Sequence, residues 1–505
     1  MPFWEVDWMP HERLRRVFPF HLALASIIAL WVYIGVGSDV AEPDLWWHLR
    51  NAEYLFTTLK LPQADMYSFT ALGQPWINHQ WLAEIPFYLA WRAGGLMGIY
   101  LLSLALCELN LLGIFYIACK ASGNPKSAFL VTCLGILLTK VSYGPRTILF
   151  GYLFLLLLLL ILWRYRSSGG APLWVVPPLF CLWINTHGSW LLGLIVFGIV
   201  VASGLVDRNW GRVEAVRWSP GQLRSLLITG AASVAALFVN PYGYRLVFYP
   251  FDMAFRQKLM VASIEEWASV DFNDPRGKMI MFLLAWIFLS TLFSRARWKL
   301  EEVALAALGL YAGLTHVRFL FLAAILLAPF LARTLDALPA YRREVDKPLL
   351  NALIFGMVLV IAARLFPSRA DLDQAVAHRF PVGALSFVKS HGLPGRVLNR
   401  HMWGGFLIWY CPEVKTFIDG RTDIFEYTGV LNDYLDFEGV KGALRVLDKY
   451  RIRYVLTSPD SRIAYLLGNI PGWKMIFRDQ VAMIFERSSA LPESPPTGPP
   501  AGGSM

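Results

Sequence analysis

Directly behind a long apolar run, the stretch Glu42-Pro-Asp-Leu-Trp-Trp-His-Leu-Arg50 brings together acids, two tryptophans, a histidine and an arginine. Asp44 is the residue here with the clearest chemistry. A carboxylate at a membrane edge can take a proton from an attacking hydroxyl, or help hold a divalent cation such as Mg or Mn. The plainer reading makes Asp44 the N-cap of an amphipathic helix, LWWHLRNAEYLFTTL, with Trp46 and Trp47 at the membrane interface. The two readings are compatible, because a cap fixes a carboxylate in place. His48 and Arg50 follow on the same helix as candidate binding groups.

Six further polar stretches interrupt the apolar chain. QPWINHQW (74–81) carries His79 and Gln80, KVSYGPRT (140–147) carries Lys140 and Arg146, and WINTHGSW (183–190) carries His187. NPYGYR (240–245) carries Tyr242 and Arg245, EEWASVDFND (265–274) carries Glu265, Glu266 and Asp271, and THVRF (315–319) carries His316 and Arg318. One arginine at such a place is usually a snorkelling side chain. Lys140, Arg146, Arg245 and Arg318 converging in one cavity would instead suit a phosphate or diphosphate. The four histidines lack the i, i+4 spacing of a helical metal pair, so interfacial hydrogen bonding is the simpler role. Glu265, Glu266 and Asp271 either bind a sugar or a metal or form a solvated face. Glu108, inside an apolar run, is expected to face other helices and pair with Asn110 or a partner from another span.

The elements that must position these groups are membrane helices. The 505-residue chain is 56% hydrophobic and only 16% charged, where a soluble domain has about 25% charged residues, and its mean hydropathy is +0.47. A span needs about 20 apolar residues. Runs at 20–37, 95–119, 127–142, 147–163, 171–186, 189–206, 223–239, 277–294, 301–316, 318–338 and 349–366 give about eleven candidates. Residues 81–93, with Glu84, Pro86 and Arg92, read as an interfacial or re-entrant piece. With the N-terminus inside, short basic loops such as Arg164/Arg166, Arg295/Arg297/Lys299 and Arg342/Arg343/Lys347 alternate with the polar stretches named above, which all fall outside. The net charge of +10 is then topology signal, not a nucleic-acid footprint. Five cysteines without paired spacing imply neither a disulfide framework nor a zinc site.

The expected architecture is a polytopic α-helical membrane protein with a C-terminal α/β extracytoplasmic domain. Its parts are a cytoplasmic segment 1–19, a membrane domain 20–366 with a large first outer loop 38–94, an outer domain 367–487 and a disordered tail 488–505. In the outer domain the runs 396–399, 416–420, 454–459, 474–479 and 482–487 read as strands between helices. "FIDGRTDIF" puts Asp419, Arg421 and Asp423 after one of them. They either line a crevice or form a turn with an internal Asp–Arg pair, the reading favoured here. No G-x-G-x-x-G or P-loop pattern is present.

Asp44-Leu-Trp-Trp-His-Leu-Arg50 resembles the first-loop acidic motif of oligosaccharyltransferase catalytic subunits, and protein mannosyltransferases and aminoarabinose transferases place an acid similarly. These are GT-C glycosyltransferases. The stretches "PDLWWHLR", "YSFTALGQPWINHQWLAE", "NPYGYRL" and "WGGFLIWYCPEVKTFIDGR" resemble a bacterial group of multi-pass proteins over most of residues 20–487. The resemblance implies a bacterial cytoplasmic-membrane enzyme. It would move a sugar from a polyprenyl-phosphate-linked donor to a lipid, glycan or protein acceptor at the outer face, with Asp44 as the first-loop acid. The outer domain lacks a WWD-type motif, which argues against protein N-glycosylation. The acid expected beside the histidine of "NHQW" is Gln80 here, and Glu84 or the 265–271 acids would have to substitute. Two other readings stay open: a non-catalytic subunit for envelope-polysaccharide assembly, and a transporter or flippase of lipid-linked sugars. A transporter would need polar groups at mid-depth, whereas these gather at one end.

Overall fold

The computed structural model describes residues 9–38, 40–263, 265–393 and 395–488; of residues 9–12, 260, 261, 263 and 265 only the backbone is described. The tail read as disordered lies outside the described residues, apart from Ser488. The chain forms two compact units, residues 1–63 with 76–376, and residues 64–75 with 377–505.

The first unit is mostly helical. Its helices are α1 (Met9–Val17), α2 (Phe20–Val36), α3 (Leu45–Thr58), α4 (Trp81–Gly94), α5 (Leu96–Ser122), α6 (Pro125–Thr139), α7 (Ile148–Ser168), α8 (Val176–Thr186) and α9 (Trp190–Ser203). There follow α10 (Pro220–Ala236), α11 (Tyr244–Arg256), α12 (Lys258–Ser263), α13 (Pro275–Phe293), α14 (Leu300–Thr315), α15 (Leu320–Thr334), α16 (Pro348–Arg364) and α17 (Arg369–Arg379). Short strands β1 (Arg208–Trp210), β2 (Val213–Ala215) and β3 (Trp298–Lys299) join two of the loops.

A helix occupies each apolar run, but the runs are not equal. Among the described residues five helical segments are long and apolar enough to cross a membrane: Leu96–Ser122, Pro125–Ser142, Ile148–Ser168, Pro275–Phe293 and Val317–Thr334. A sixth is added if α16 and α17, bent by 62°, count as one. The other apolar runs of the expected eleven or so form shorter helices or fall below this test. A helix such as α8 rises only about 16 Å at 1.5 Å per residue, because Pro172 and His187-Gly188 bracket it.

The core runs along α15. Nearly all of its residues are buried, and α5, α6 and α14 pack on it. A helix apolar on every side can only be stable inside the bundle. Against it α14 presents Gly309 and Gly313, one turn apart. A Cβ at Gly313 would lie 2.9 Å from the Cβ of Ala323, and one at Gly309 would lie 3.1 Å from that of Leu326. Small residues at this spacing let two backbones approach where lipid supplies no hydrophobic drive. Glu108 does not pair with Asn110 as expected. Asn110 donates to the carbonyls of Leu106 and Leu149 at 2.9 and 3.0 Å, and Glu108 Oε2 is buried without a partner among the described residues.

The second unit is α/β. Strands β4 (Val397–Asn399), β5 (Tyr454–Thr457), β6 (Trp473–Arg478) and β7 (Met483–Arg487) form a sheet in the order β4-β5-β7-β6. The β4–β5 pair is parallel and the other two pairs are antiparallel. Around it lie α18 (Val382–His391), α19 (Gly404–Tyr410), α20 (Thr422–Tyr427), α21 (Val430–Glu438), α22 (Ala443–Lys449) and α23 (Arg462–Asn469). Residues 416–420 are not a strand. The Asn399 side chain stands in for a ladder, accepting from Phe417 N and donating to Ile418 O, both at 2.8 Å. Asp419 and Arg421 form the internal pair, with Nε–Oδ1 at 2.7 Å and Nη2–Oδ2 at 2.6 Å. The same guanidinium also holds Asp65 at 2.6 Å, from the segment 64–75 that the first loop lends to this unit. All three side chains are wholly buried, so this triad is structural and no open crevice.

The α14–α15 seam sets one expectation. Gly313→Leu forces a bulky side chain against Ala323 and should lower stability by about 1–3 kcal/mol, read as a lower melting temperature in detergent. An unchanged melting temperature would show that the seam is loose.

Candidate functional site

Groups from six chain segments of the first unit meet at one end of its helices. Asp44 precedes α3, but its side chain does not cap it. The cap reading is corrected: Asp44 Oδ1 accepts from the indole Nε1 of Trp47 at 3.0 Å, and among the described residues its other oxygen accepts no hydrogen bond. Trp47 in turn lies on the ring of His48, centroids 3.7 Å apart. His48 Nδ1 meets Glu84 Oε1 at 3.0 Å. Asn51 donates to the same oxygen at 3.1 Å, and Asn78 donates to Glu84 Oε2 at 2.8 Å. Glu84 is buried and fully occupied, and it locks α3 to α4 and to the loop before α4. As a free second acid it is unsuited.

Arg146, between α6 and α7, is also occupied. Its Nε donates to Glu42 Oε2 at 3.0 Å and its Nη1 to Glu266 Oε1 at 2.6 Å. Burial pulls the guanidinium down, but Glu42, Glu266 and Asp44 outweigh it and hold Arg146 above its ordinary value. The expectation of Arg146 as an open phosphate ligand is corrected, since two carboxylates already neutralise it. Glu42 lies two residues before Asp44 in the same motif, and only the fold brings residues 42, 146 and 266 together.

Arg318 is different. Its guanidinium lies 4.2 Å from the centroid of the Trp267 ring, a cation–π contact. It feels the charges of Glu266, Arg146 and Asp44. Among the described residues it makes no ion pair and its guanidinium donates no hydrogen bond. Trp267 Nε1 is likewise buried without a partner among the described residues. The turn carrying Glu266 and Trp267 is pinned by His316, whose Nδ1 lies 2.7 Å from Trp267 O, and by Val317 N donating to Ala268 O at 3.1 Å. Trp267 escaped the sequence reading because nothing local marks a tryptophan in an acidic loop as the floor beneath a distant arginine.

His79 and His187 complete the cluster. His79 stacks on Tyr249 at 4.6 Å and sits 2.8 Å from the Gln80 amide nitrogen. Gln80 accepts from Thr147, so it ties the first loop to the start of α7. His187 ends α8, and its Nδ1 accepts from Ser189 N at 3.0 Å. Burial first, then the charges of His48 and Arg318, lower His79 to about 3. Burial, then His79, Arg318 and His48, hold His187 well below the usual range. Both imidazoles are neutral at pH 7. Tyr242 borders the cluster through Asn78 and Glu84, its hydroxyl donates to Pro62 O at 3.2 Å, and burial raises it.

The remaining candidates are not brought in. Lys140 and Arg245 are exposed, and Arg50 pairs with Glu53 at 2.5 Å. Asp271 is exposed and accepts from Asn273 within its own loop. The side chain of Glu265 lies outside the described residues. No group of three or more His, Cys, Asp or Glu among the described residues is placed to hold a metal ion.

The part-buried neutral histidines make stability pH-dependent. Their folded values lie below 6.5, so as pH falls below about 6.5 the unfolded chain binds protons that the folded chain refuses, and stability drops. Each histidine adds a slope of about 1.4 kcal/mol per pH unit in that window. The melting temperature in detergent should fall between pH 7 and pH 5, and His79→Asn should flatten the fall. A wild-type melting temperature independent of pH over that range would contradict the low folded values of the two histidines.

No family model matches the sequence, and no curated protein matches it. Among solved structures the chain is similar to ArnT from Cupriavidus metallidurans. The structure of ArnT bound to undecaprenyl phosphate is 13% identical with a TM-score of 0.52, over 92% of this chain and 97% of that one. The apo structure is 14% identical with a TM-score of 0.51, over the same shares. At this identity the likeness is one of fold: the chain shares the fold of ArnT.

Proposed function

We propose that this protein is a membrane glycosyltransferase that moves a sugar from a polyprenyl-phosphate-linked donor to an acceptor hydroxyl. The observation that carries the reading is the pairing of Arg318 and Trp267, both with donors unclaimed among the described residues, in the electrostatic field of Asp44. The fold is shared with ArnT, one structure of which is bound to undecaprenyl phosphate.

The donor's phosphate meets Arg318, whose planar guanidinium can hold two phosphate oxygens at once, with the Trp267 N–H as a further donor. The acceptor oxygen attacks the anomeric carbon, the bond from that carbon to the phosphate oxygen breaks, and Asp44 takes the acceptor's proton. The polyprenyl phosphate leaves with its negative charge on Arg318. Arg146, clasped by Glu42 and Glu266, positions the segments carrying Asp44 and Trp267. The neutral histidines add hydrogen-bonding capacity without a second positive charge beside the leaving group.

Asp44→Asn keeps an oxygen for Trp47 but removes the base. It should abolish turnover at normal protein level, so that the carrier-linked sugar accumulates in lipid extracts as in a deletion strain. Arg318→Lys should weaken turnover partly and Arg318→Ala severely, since lysine keeps charge but not the fork. If Asp44→Asn cleared the intermediate like wild type, Asp44 would not be the base and the enzyme reading would lose its main support.

The topology proposed with this function has the N-terminus inside, about eleven helices crossing, and the second unit and Asp44 end outside the bacterial cytoplasmic membrane. It is supported by the basic residues flanking the other ends of the same helices, such as Arg164 and Arg166 on α7 and Arg333 on α15. A reporter active only in the cytoplasm, fused after Arg487, should be silent. Strong activity would reverse the orientation.

A further inference from the structure

At the end of the bundle away from Asp44 lies a cavity. Arg146 precedes α7 and Arg166 is in its last turn; Arg318 precedes α15 and Arg333 is in its last turn. The first pair is 20 residues apart and the second 15, which at 1.5 Å per residue separates the two ends by about 20–30 Å. Between α5, α7, α9, α14 and α15 a narrow, partly open cavity of about 80 Å³ is lined by Ala121, Leu162, Val200 and Leu305 among others, and at its polar edge by Arg166 and Glu301. Its lining has the character of a ligand site, mostly apolar with a few polar groups to set orientation.

The polar edge is almost fully paired. Arg333 Nη1 donates to both oxygens of Glu302, at 2.8 and 2.7 Å. Arg166 Nε donates to Glu301 Oε1 at 3.1 Å, and its guanidinium lies 4.0 Å from the centroid of the Trp218 ring. Two cations and two anions cancel. What remains is Glu301 Oε2, on a side chain only 10% exposed, buried and without a hydrogen-bond partner among the described residues. An unsatisfied buried carboxylate oxygen is costly. It asks for a hydrogen-bond donor, and a positive one is favoured. The apolar wall asks for a chain.

We propose that this cavity binds a zwitterionic phospholipid with a primary ammonium, of the phosphatidylethanolamine type, its ammonium on Glu301 and an acyl chain along the apolar wall. Phosphatidylcholine has the same net charge and the same chains but no N–H, so it cannot satisfy Glu301. An anionic lipid adds negative charge beside a carboxylate oxygen that is already unpaired. The site is independent of the glycosyl-transfer reading, since it shares no residue with the Asp44 cluster.

The test uses the full-length protein, delipidated in detergent and titrated with palmitoyl-oleoyl phosphatidylethanolamine, phosphatidylcholine or phosphatidylglycerol, bound lipid being counted by native mass spectrometry. One charge-assisted hydrogen bond corresponds to about tenfold tighter binding of the ethanolamine lipid than of the choline lipid. Glu301→Gln should bring that ratio to within about twofold. Ala121→Trp, which fills the cavity and leaves the ion pairs intact, should remove retained lipid of every kind. Equal binding of the ethanolamine and choline lipids by the wild type overturns the proposal and leaves water as the partner of Glu301. So does a full preference surviving in Glu301→Gln. If Glu301→Gln does not fold, the wild-type ratio together with Ala121→Trp still decides.

Discussion

Arg146 is the tie on which the polar end of the bundle depends. One guanidinium accepts the geometry of two carboxylates, Glu42 from the segment before α3 and Glu266 from the turn after α12. A half-buried cation at the mouth of a bundle is stable only if it is paired. Holding both acids fixes where Asp44, two residues from Glu42, and Trp267, next to Glu266, must lie. It also spends the charge of Arg146. Arg318 is left as the cation with its guanidinium unclaimed among the described residues, and the division of labour between the two arginines follows from that single pairing.

Bilayer chemistry explains why polar groups collect at helix ends. α15 is apolar on all sides and runs through the core, so it can carry Arg318 and Arg333 only at its two ends. α7 does the same with Arg146 and Arg166. The same helices therefore build two polar sites that differ in kind. At one end the charges leave an arginine open, and at the other they leave a carboxylate oxygen open. An open cation suits an anionic leaving group, and an open carboxylate suits an ammonium.

The second unit shows how a short excursion of chain becomes structural. Residues 64–75 leave the first loop and bury Asp65 against Arg421 and Asp419, with Tyr67 beneath the guanidinium at 4.8 Å. Chain connectivity ties that segment to the first unit at both ends, to the end of α3 at Thr58 and Leu59 on one side and to Asn78, His79 and Gln80 on the other. Losing either carboxylate would leave a buried guanidinium half paired, which costs about 3–5 kcal/mol.

Hydropathy by itself determined that this is a helical membrane chain and where its helices lie, because lipid forces every spanning backbone to bond internally and so writes each helix as a contiguous apolar run. It also determined that His48, His79, His187 and Arg318 sit at helix ends or in loops, since polar groups are expelled from the runs. The α/β character of residues 377–488 was legible in the alternation of short apolar strands and helical stretches. What only tertiary structure decided was pairing. That Arg146 is spent and Arg318 open, that Glu84 is locked by His48, Asn51 and Asn78, that Asp44 answers to Trp47 and caps nothing, and that Asp65 belongs with Arg421 are all contacts between residues far apart in sequence, apart from Trp47 with Asp44. A residue type states how many hydrogen bonds it can make. Which of them are already made depends on what the fold brings within 3 Å.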